Sequence, residues 1–258
     1  MPLSTAYRPR IALRATVALT IVGTIVMNAL ANIVPFFGRG TGEVSGLYPT
    51  LVTPAGYVFA IWGLIYLGLL AYSVGQFSGH LAEDPLPDHL AWPLIISSIA
   101  NVVWLLLWHS LAIYWSVPLM LVLLLSLITA YLIARTGRAP KPTALERWTV
   151  RAPLGLYLGW ISVATIANIS SALVAANWSG WFLSPDVWGL IVLVVGTVLA
   201  FGALARHGDC VFAGVFVWAY IGIAAATPAP LVRTSATVLA GAIGVMIVVS
   251  IFLRRRLV

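Results

Sequence analysis

An all-α integral membrane protein of about eight transmembrane helices is the fold this sequence predicts, and three observations lead there. Of the 258 residues, 61% are hydrophobic and 8% are charged, where soluble domains hold roughly 45–50% and about 25%. Mean hydropathy is +1.02, which a single anchor on a soluble body does not produce, because water would then face too much apolar surface. Finally, the chain divides into eight apolar stretches, approximately 15–36, 52–77, 90–108, 111–134, 152–177, 187–205, 210–227 and 234–253, and none contains Asp, Glu, Lys or Arg. Each approaches or exceeds the roughly 20 residues that span about 30 Å of hydrocarbon. The same composition excludes a disordered chain, a collagen and a disulfide scaffold, and the single cysteine, Cys210, cannot form an intrachain disulfide.

The elements follow in order. Span one is preceded by Arg8, Arg10 and Arg14 and contains Ala29-Leu30-Ala31, the small-x-small form of a signal cleavage site. Its apolar run is longer than a usual signal core, so it is expected to remain as a helix. Span two opens behind Pro54, His109 is expected in the tight turn after span three, and Pro118 lies in the first turns of span four. A basic loop, Arg135 to Thr149, is expected before span five. Pro35, Pro85, Pro87, Pro140, Pro142, Pro185, Pro228 and Pro230 fall in loops or near span ends, where a missing N–H costs little. There is no fixed-period repeat and no matched pair of interrupted helices, which weighs against an inverted-repeat transporter.

The net charge of +7 reads as topology and not as a nucleic-acid patch, because the basic residues sit between apolar segments. With the N-terminus inside, the cytoplasmic side carries Arg8, Arg10, Arg14, Arg135, Arg138, Lys141, Arg147, Arg151, Arg206, Arg254, Arg255 and Arg256, which is 12 of the 14 basic residues. Only Arg39 and Arg233 remain outside. Both termini are therefore expected in the cytoplasm, with the chain multi-pass in a bacterial inner (plasma) membrane. The loop bearing Glu83, Asp84 and Asp88 dissents, but acidic residues weigh little in this rule.

Missing residues exclude several membrane chemistries. A retinal Schiff base needs a lysine within a helix, and the only lysine, Lys141, is expected in a loop. A transmembrane cytochrome needs axial histidines at membrane depth, whereas His80, His89, His109 and His207 are expected in loops or turns. Ion-coupled transport normally leaves an ionisable group in a span. No metal-ligand cluster, Gly-rich phosphate loop or Ser/His/Asp set is visible, so no metal is expected and hydrolysis has no machinery.

The eleven tryptophans are the unusual feature. Trp115, Trp178, Trp181 and Trp188, with Tyr48 and Tyr114, cluster at outer span ends and Trp92 and Trp148 at inner ends, an ordinary aromatic belt. Others fall at helical spacing within spans: Phe59, Trp62 and Tyr66; Asn101, Trp104 and Trp108; Tyr157, Trp160, Ala164 and Asn168. At 1.5 Å per residue Trp62 lies about 15 Å from the outer end of its span, and Asn101 and Trp160 about 16 and 12 Å from the inner ends of theirs, so the three share a level. Two readings stand here. The stripes line a flat, mostly apolar ligand pocket, or they are packing residues with the two asparagines as interhelical ties.

At these residues a resemblance appears. Thr53-Pro54-Ala55-Gly56-Tyr57-Val58-Phe59-Ala60-Ile61-Trp62-Gly63-Leu64-Ile65-Tyr66 resembles the Pro-Pro-x-x-x-Phe-x-x-x-Trp-x-x-x-Tyr element of the tryptophan-rich sensory protein family, also called the translocator or peripheral benzodiazepine receptor family. Asn101-Val102-Val103-Trp104 is similar to its third-helix Asn-x-x-Trp, and Tyr157 to Asn168 to its fifth-helix Tyr-x-x-Trp-x-x-x-Ala-Thr-x-x-Asn. The resemblance covers spans one to five, roughly 11–178. It implies a five-helix ligand-binding membrane bundle over 1–178 and a three-helix C-terminal membrane extension over 179–258. It departs at Ala55, where the family has its second proline, at Leu156, at Val52, and in the two residues that separate Phe59 from Trp62 where the family has three. Residues 169–176 lack the Tyr and Arg of a sterol-recognition spacing, which argues against cholesterol.

What the resemblance implies is a receptor-like protein that binds a flat hydrophobic ligand, above all a tetrapyrrole such as protoporphyrin IX or haem, for sensing, trafficking or light-dependent degradation. The expected ligand-binding residues are Phe59, Trp62, Tyr66, Asn101, Trp104, Tyr157, Trp160 and Asn168. No cofactor is required beyond a bound porphyrin or haem. Enzymatic activity stays open: Trp62 and Trp160, oxidisable indoles against a photosensitising ring, are the only catalytic candidates, and only for chemistry needing light and oxygen. The alternatives are a transporter of a hydrophobic small molecule and an assembly or regulatory partner. The expected partners are the lipid bilayer and the small-molecule ligand, with a homodimer or another membrane protein as protein candidates and no nucleic acid.

Overall fold

The computed structural model describes residues 7–34, 36–136 and 142–256. Within these residues the chain is helical and contains no strand, as lipid requires, because a spanning helix satisfies its backbone N–H and C=O groups internally. The helices are α1 (Ile11–Ile33), α2 (Thr41–Leu47), α3 (Ile61–Gly75), α4 (Leu86–His109), α5 (Ile113–Ile133), α6 (Ala144–Glu146), α7 (Ala152–Ala175), α8 (Pro185–His207), α9 (Cys210–Ala226) and α10 (Pro230–Arg256). A 3-10 turn, Gly56–Ala60, leads into α3, and a π turn, Arg147–Arg151, joins α6 to α7. Leu19, Leu67, Leu125, Val198 and Val245 are each more than half exposed. A coat of this kind is sustainable only against lipid, and the protein is an integral membrane protein.

Among the described residues seven helices are long and apolar enough to cross a bilayer: Ile11–Ile33, Gly56–Gly75, Leu86–His109, Ile113–Ile133, Ala144–Ala175, Pro185–His207 and Pro230–Leu253. The eighth expected span is the shorter apolar helix Cys210–Ala226, of 17 residues. It packs against α7, α8, α10 and the 3-10 turn. Helix α7 meets it through glycine. A Cβ on Gly155 would lie 2.6 Å from an Asp209 carboxylate oxygen, and one on Gly159 3.0 Å from Val215, so this i, i+4 pair lets the two helices approach closely. Helix α4 lies between α1 and α5, and α5 packs on α7.

Three expectations change at the helix ends. The stretch Arg135 to Thr149 is not one loop. Thr143 Oγ1 accepts the Glu146 N–H at 3.2 Å, starting a helix that runs from Ala144 to Ala175. Arg138, Lys141 and Pro140 lie outside the described residues, as does Pro35. Arg14 and Asp88 belong to helices, not to loops before them. Arg14 is fully buried and fans out to Asp88 (2.6 Å) and to the carbonyl oxygens of Gln76 (2.8 Å), Leu81 (2.9 Å), Ala82 (3.0 Å) and Asp84 (2.7 Å). One guanidinium thus pins α1 to the turn between α3 and α4. Arg135 likewise holds Asp209 at 2.5 Å while Asp209 Oδ1 caps α9 by accepting the N–H groups of Val211 (3.1 Å) and Phe212 (3.0 Å). His109 and His207 are the last residues of α4 and α8 and not turn residues.

Five of the eight belt aromatics, Trp92, Tyr114, Trp115, Trp148 and Trp181, are exposed, whereas Tyr48, Trp178 and Trp188 are half-buried and Tyr48 packs on the core. Trp92, Trp115, Trp148 and Trp181 are each more than half exposed, and Trp178, Trp181 and Trp188 touch ring to ring.

Candidate functional site

The aromatic stripes converge at the end of the bundle away from Arg14, under α2. Phe59 comes from the 3-10 turn, Trp62 and Tyr66 from α3, Trp104 from α4 and Trp160 from α7. In a 3-10 turn residues three apart eclipse one another. The shortened Phe59 to Trp62 spacing, which falls at the junction of the 3-10 turn with α3, therefore still delivers both rings to one side. Trp62 is the hub. It stacks on Tyr66 at 5.5 Å between ring centroids and 25° between planes, and meets Tyr157 (5.9 Å) and Trp160 (6.3 Å) edge-on. Phe59 meets Trp160 edge-on at 5.7 Å.

These rings enclose two adjoining cavities. The larger, of about 300 Å³, is bounded by Asn28, Ala29 and Asn32 of α1, Thr41 and Gly42 of α2, Gly56, Phe59, Trp62, Tyr66 and Trp104. The smaller, of about 40 Å³, reaches Trp108, Met120, Trp160 and Asn168. Thr41, Phe59, Trp62 and Trp104 line both. Six of the eight residues singled out from sequence border this space: Phe59, Trp62, Tyr66, Trp104, Trp160 and Asn168. Asn101 and Tyr157 are not in its lining. They stand behind it in a chain of hydrogen bonds in which Asn28 Nδ2 donates to Asn101 Oδ1 (2.8 Å) and Asn101 Nδ2 to the Tyr157 hydroxyl (3.2 Å).

A second chain runs from Trp104 Nε1 to Asn168 Oδ1 (3.0 Å) and from Asn168 Nδ2 to Ser116 Oγ (2.8 Å). The asparagines are thus interhelical ties joining α1, α4, α5 and α7, and Asn168 holds the wall indole of Trp104. The cavity walls and the polar ties between helices belong to one arrangement. Trp160 Nε1 is buried with no hydrogen-bond partner among the described residues.

Helix α2, which lies outside the eight apolar stretches, closes the top. The Trp108 indole N–H donates to the Thr41 carbonyl (3.1 Å), and Thr41 Oγ1 shares a hydrogen bond with His109 Nε2 (2.9 Å). Asn28, Asn32 and Thr41 were missed from sequence. A signal existed for the first two, because Thr24, Asn28 and Asn32 recur every four residues within an apolar span, and polar groups at membrane depth mark function or helix contact. Among the described residues the lining holds no carboxylate, ammonium, guanidinium or imidazole. Its polar groups are amides, hydroxyls and indole N–H.

A family model described as TSPO-like protein matches residues 14–249, and the chain belongs to that family. The match continues through α8, α9 and most of α10, beyond the first five spans where the sequence motifs lie. No curated protein and no solved structure matches the chain.

Proposed function

We propose that this member of the TSPO-like family, a membrane protein of the receptor or transporter type, acts as a receptor for a tetrapyrrole such as protoporphyrin IX or haem, held among the rings of Phe59, Trp62, Trp104 and Trp160. The observation that carries this reading is the convergence of four aromatic side chains, Phe59, Trp62, Tyr66 and Trp104, from three segments on one cavity of about 300 Å³, at the lower end of the volume range of small-molecule sites, with Trp160 on the smaller cavity that adjoins it. A porphyrin face stacks on indole. Its propionates, which do not tolerate an apolar interior without partners, would lie toward Asn32 and Thr41 at the rim. With the basic side cytoplasmic, the ligand would sit nearer the outer face of a bacterial inner membrane, and residues 1–178 would form the binding bundle with 179–258 as its extension. Titration of the purified protein with protoporphyrin IX, followed by tryptophan quenching, tests the reading: saturable quenching that depends on Trp62 is expected, and quenching that is linear or unaffected by loss of Trp62 overturns it.

A further inference from the structure

The cavity wall formed by residues 54–59 is held from behind by a helix from the far end of the chain. Helix α9 meets it at three places. The Trp218 indole N–H donates to the Val58 carbonyl at 3.0 Å across 160 residues of sequence, and the same indole meets the Tyr57 ring edge-on at 5.4 Å. One turn on, the Gly222 carbonyl accepts the Ala55 N–H at 3.1 Å. At Gly222 the backbones are so close that a Cβ would collide with Val58 Cγ2 and would touch Pro54 Cβ at 3.4 Å. Pro54 and Phe59 line the smaller cavity, and Gly56 and Phe59 the larger.

We propose that α9 is a working part of the ligand site: Trp218 and Gly222 are positioning residues that set the 3-10 turn Gly56–Ala60 and so the aim of Phe59 and Trp62, which makes the C-terminal helices determinants of what the cavity accepts. This deepens the tetrapyrrole reading and rests on it for the identity of the ligand, but not for the clamp itself. Of the five residues of the turn only Val58 is buried, and Phe59 rests on Trp160. Gly56, Tyr57 and Ala60 are exposed, and a 3-10 turn has poorer hydrogen-bond geometry than an α-helix, so the external hydrogen bonds at Ala55, just before the turn, and at Val58, in its middle, steer its course. Ala55 supports the same conclusion. Its φ of −57° is one that proline adopts, and the resemblance expects proline there, yet proline would lack the N–H that Gly222 receives.

Three variants test the clamp: Ala55→Pro, which keeps the backbone angle and deletes one donor; Trp218→Phe, which keeps a ring and deletes the other; and Gly222→Ala, which drives a methyl into Val58. Gly214→Ala on the same helix, where an added Cβ meets nothing within 4 Å, is the control. Two readouts are taken on the full chain. The first is protoporphyrin IX affinity with the induced circular dichroism of the Soret band, which reports ligand orientation. The second needs no ligand: the fluorine NMR resonance of Trp62 in 5-fluorotryptophan-labelled protein, assigned by Trp62→Phe. Loss of one neutral hydrogen bond corresponds to about a two- to tenfold weakening, so Ala55→Pro and Trp218→Phe should weaken binding by that factor, change the induced signal and shift the Trp62 resonance. Gly222→Ala should do so more strongly, Gly222→Ala/Val58→Ala should regain part of the loss, and Gly214→Ala should match the parent. A shifted resonance with no porphyrin binding in the parent would sustain the clamp and sink the tetrapyrrole reading. Normal binding with an unmoved resonance in Ala55→Pro and Trp218→Phe would overturn the clamp and leave that reading intact.

Discussion

Replacing Trp62 by alanine probes the proposed site at its hub. Its indole stacks on Tyr66 at 5.5 Å and meets Tyr157 and Trp160 in T-shaped contacts at 5.9 and 6.3 Å; it borders both cavities, and a ligand there would lie on the face that Tyr66 leaves. A ring stacked on that face is worth about 0.5–1.5 kcal/mol beyond the area it covers. The upper end of that range corresponds to roughly a tenfold change in Kd, so Trp62→Ala should raise the Kd for protoporphyrin IX by about tenfold or more. The same substitution removes three ring contacts within the bundle, and truncating a well-packed tryptophan costs about 3–5 kcal/mol of stability. The melting temperature in detergent must therefore be recorded beside each titration. Trp62→Phe, which keeps an aromatic face, should lose only a few-fold in affinity and serves as the folded comparison. Trp181→Ala removes a side chain that is 72% exposed and should leave affinity unchanged. Unchanged affinity in Trp62→Ala, or equal losses at Trp62 and Trp181, would refute the placement of a ligand on this face.

Arg14 should be costly to remove: Arg14→Met leaves the Asp88 carboxylate with only the Tyr7 hydroxyl and the Arg10 N–H and deprives four carbonyl oxygens of their donor, with a loss of about 3–5 kcal/mol. Arg14→Lys should fail to restore the melting temperature because a point charge cannot replace the fork, and a lysine variant as stable as the parent would disprove the fan of contacts. Asn168→Leu breaks the ties to both Trp104 and Ser116, each worth about 0.6 and at most about 1.7 kcal/mol in a membrane bundle; thermal unfolding of this variant beside Trp104→Phe and the double variant should show the two changes to be less than additive. For topology, reporter fusions after Leu81, after Arg206 and at the C-terminus should all read cytoplasmic, as the distribution of 12 basic residues against 2 requires; a periplasmic C-terminus would mean that α9 does not cross.

The sequence by itself determined the solvent and the alphabet of the fold. With 61% apolar residues the chain must sit in lipid, and lipid admits helices because no water is present to satisfy an open backbone. It determined which face of each helix matters as well, since Trp62 and Tyr66, or Trp104 and Trp108, fall on one side through a local period that needs no partner. A helix start was also legible and was passed over: Thr143-Ala144-Leu145-Glu146 has the form of a capping box, but the charges around it suggested a loop. Tertiary structure alone decided which faces meet. That Asn28 bonds to Asn101, Trp104 to Asn168 and Trp218 to Val58 follows from how tilted helices cross and where glycines permit contact. A one-dimensional period reports the direction of a side chain on its own helix and carries no information about the helix opposite. Hydropathy counted α9 as one more span among eight. Only packing shows it wedged behind the cavity wall, because the close approach at Gly222 depends on Val58 and Pro54, residues that are remote in sequence and adjacent in the fold.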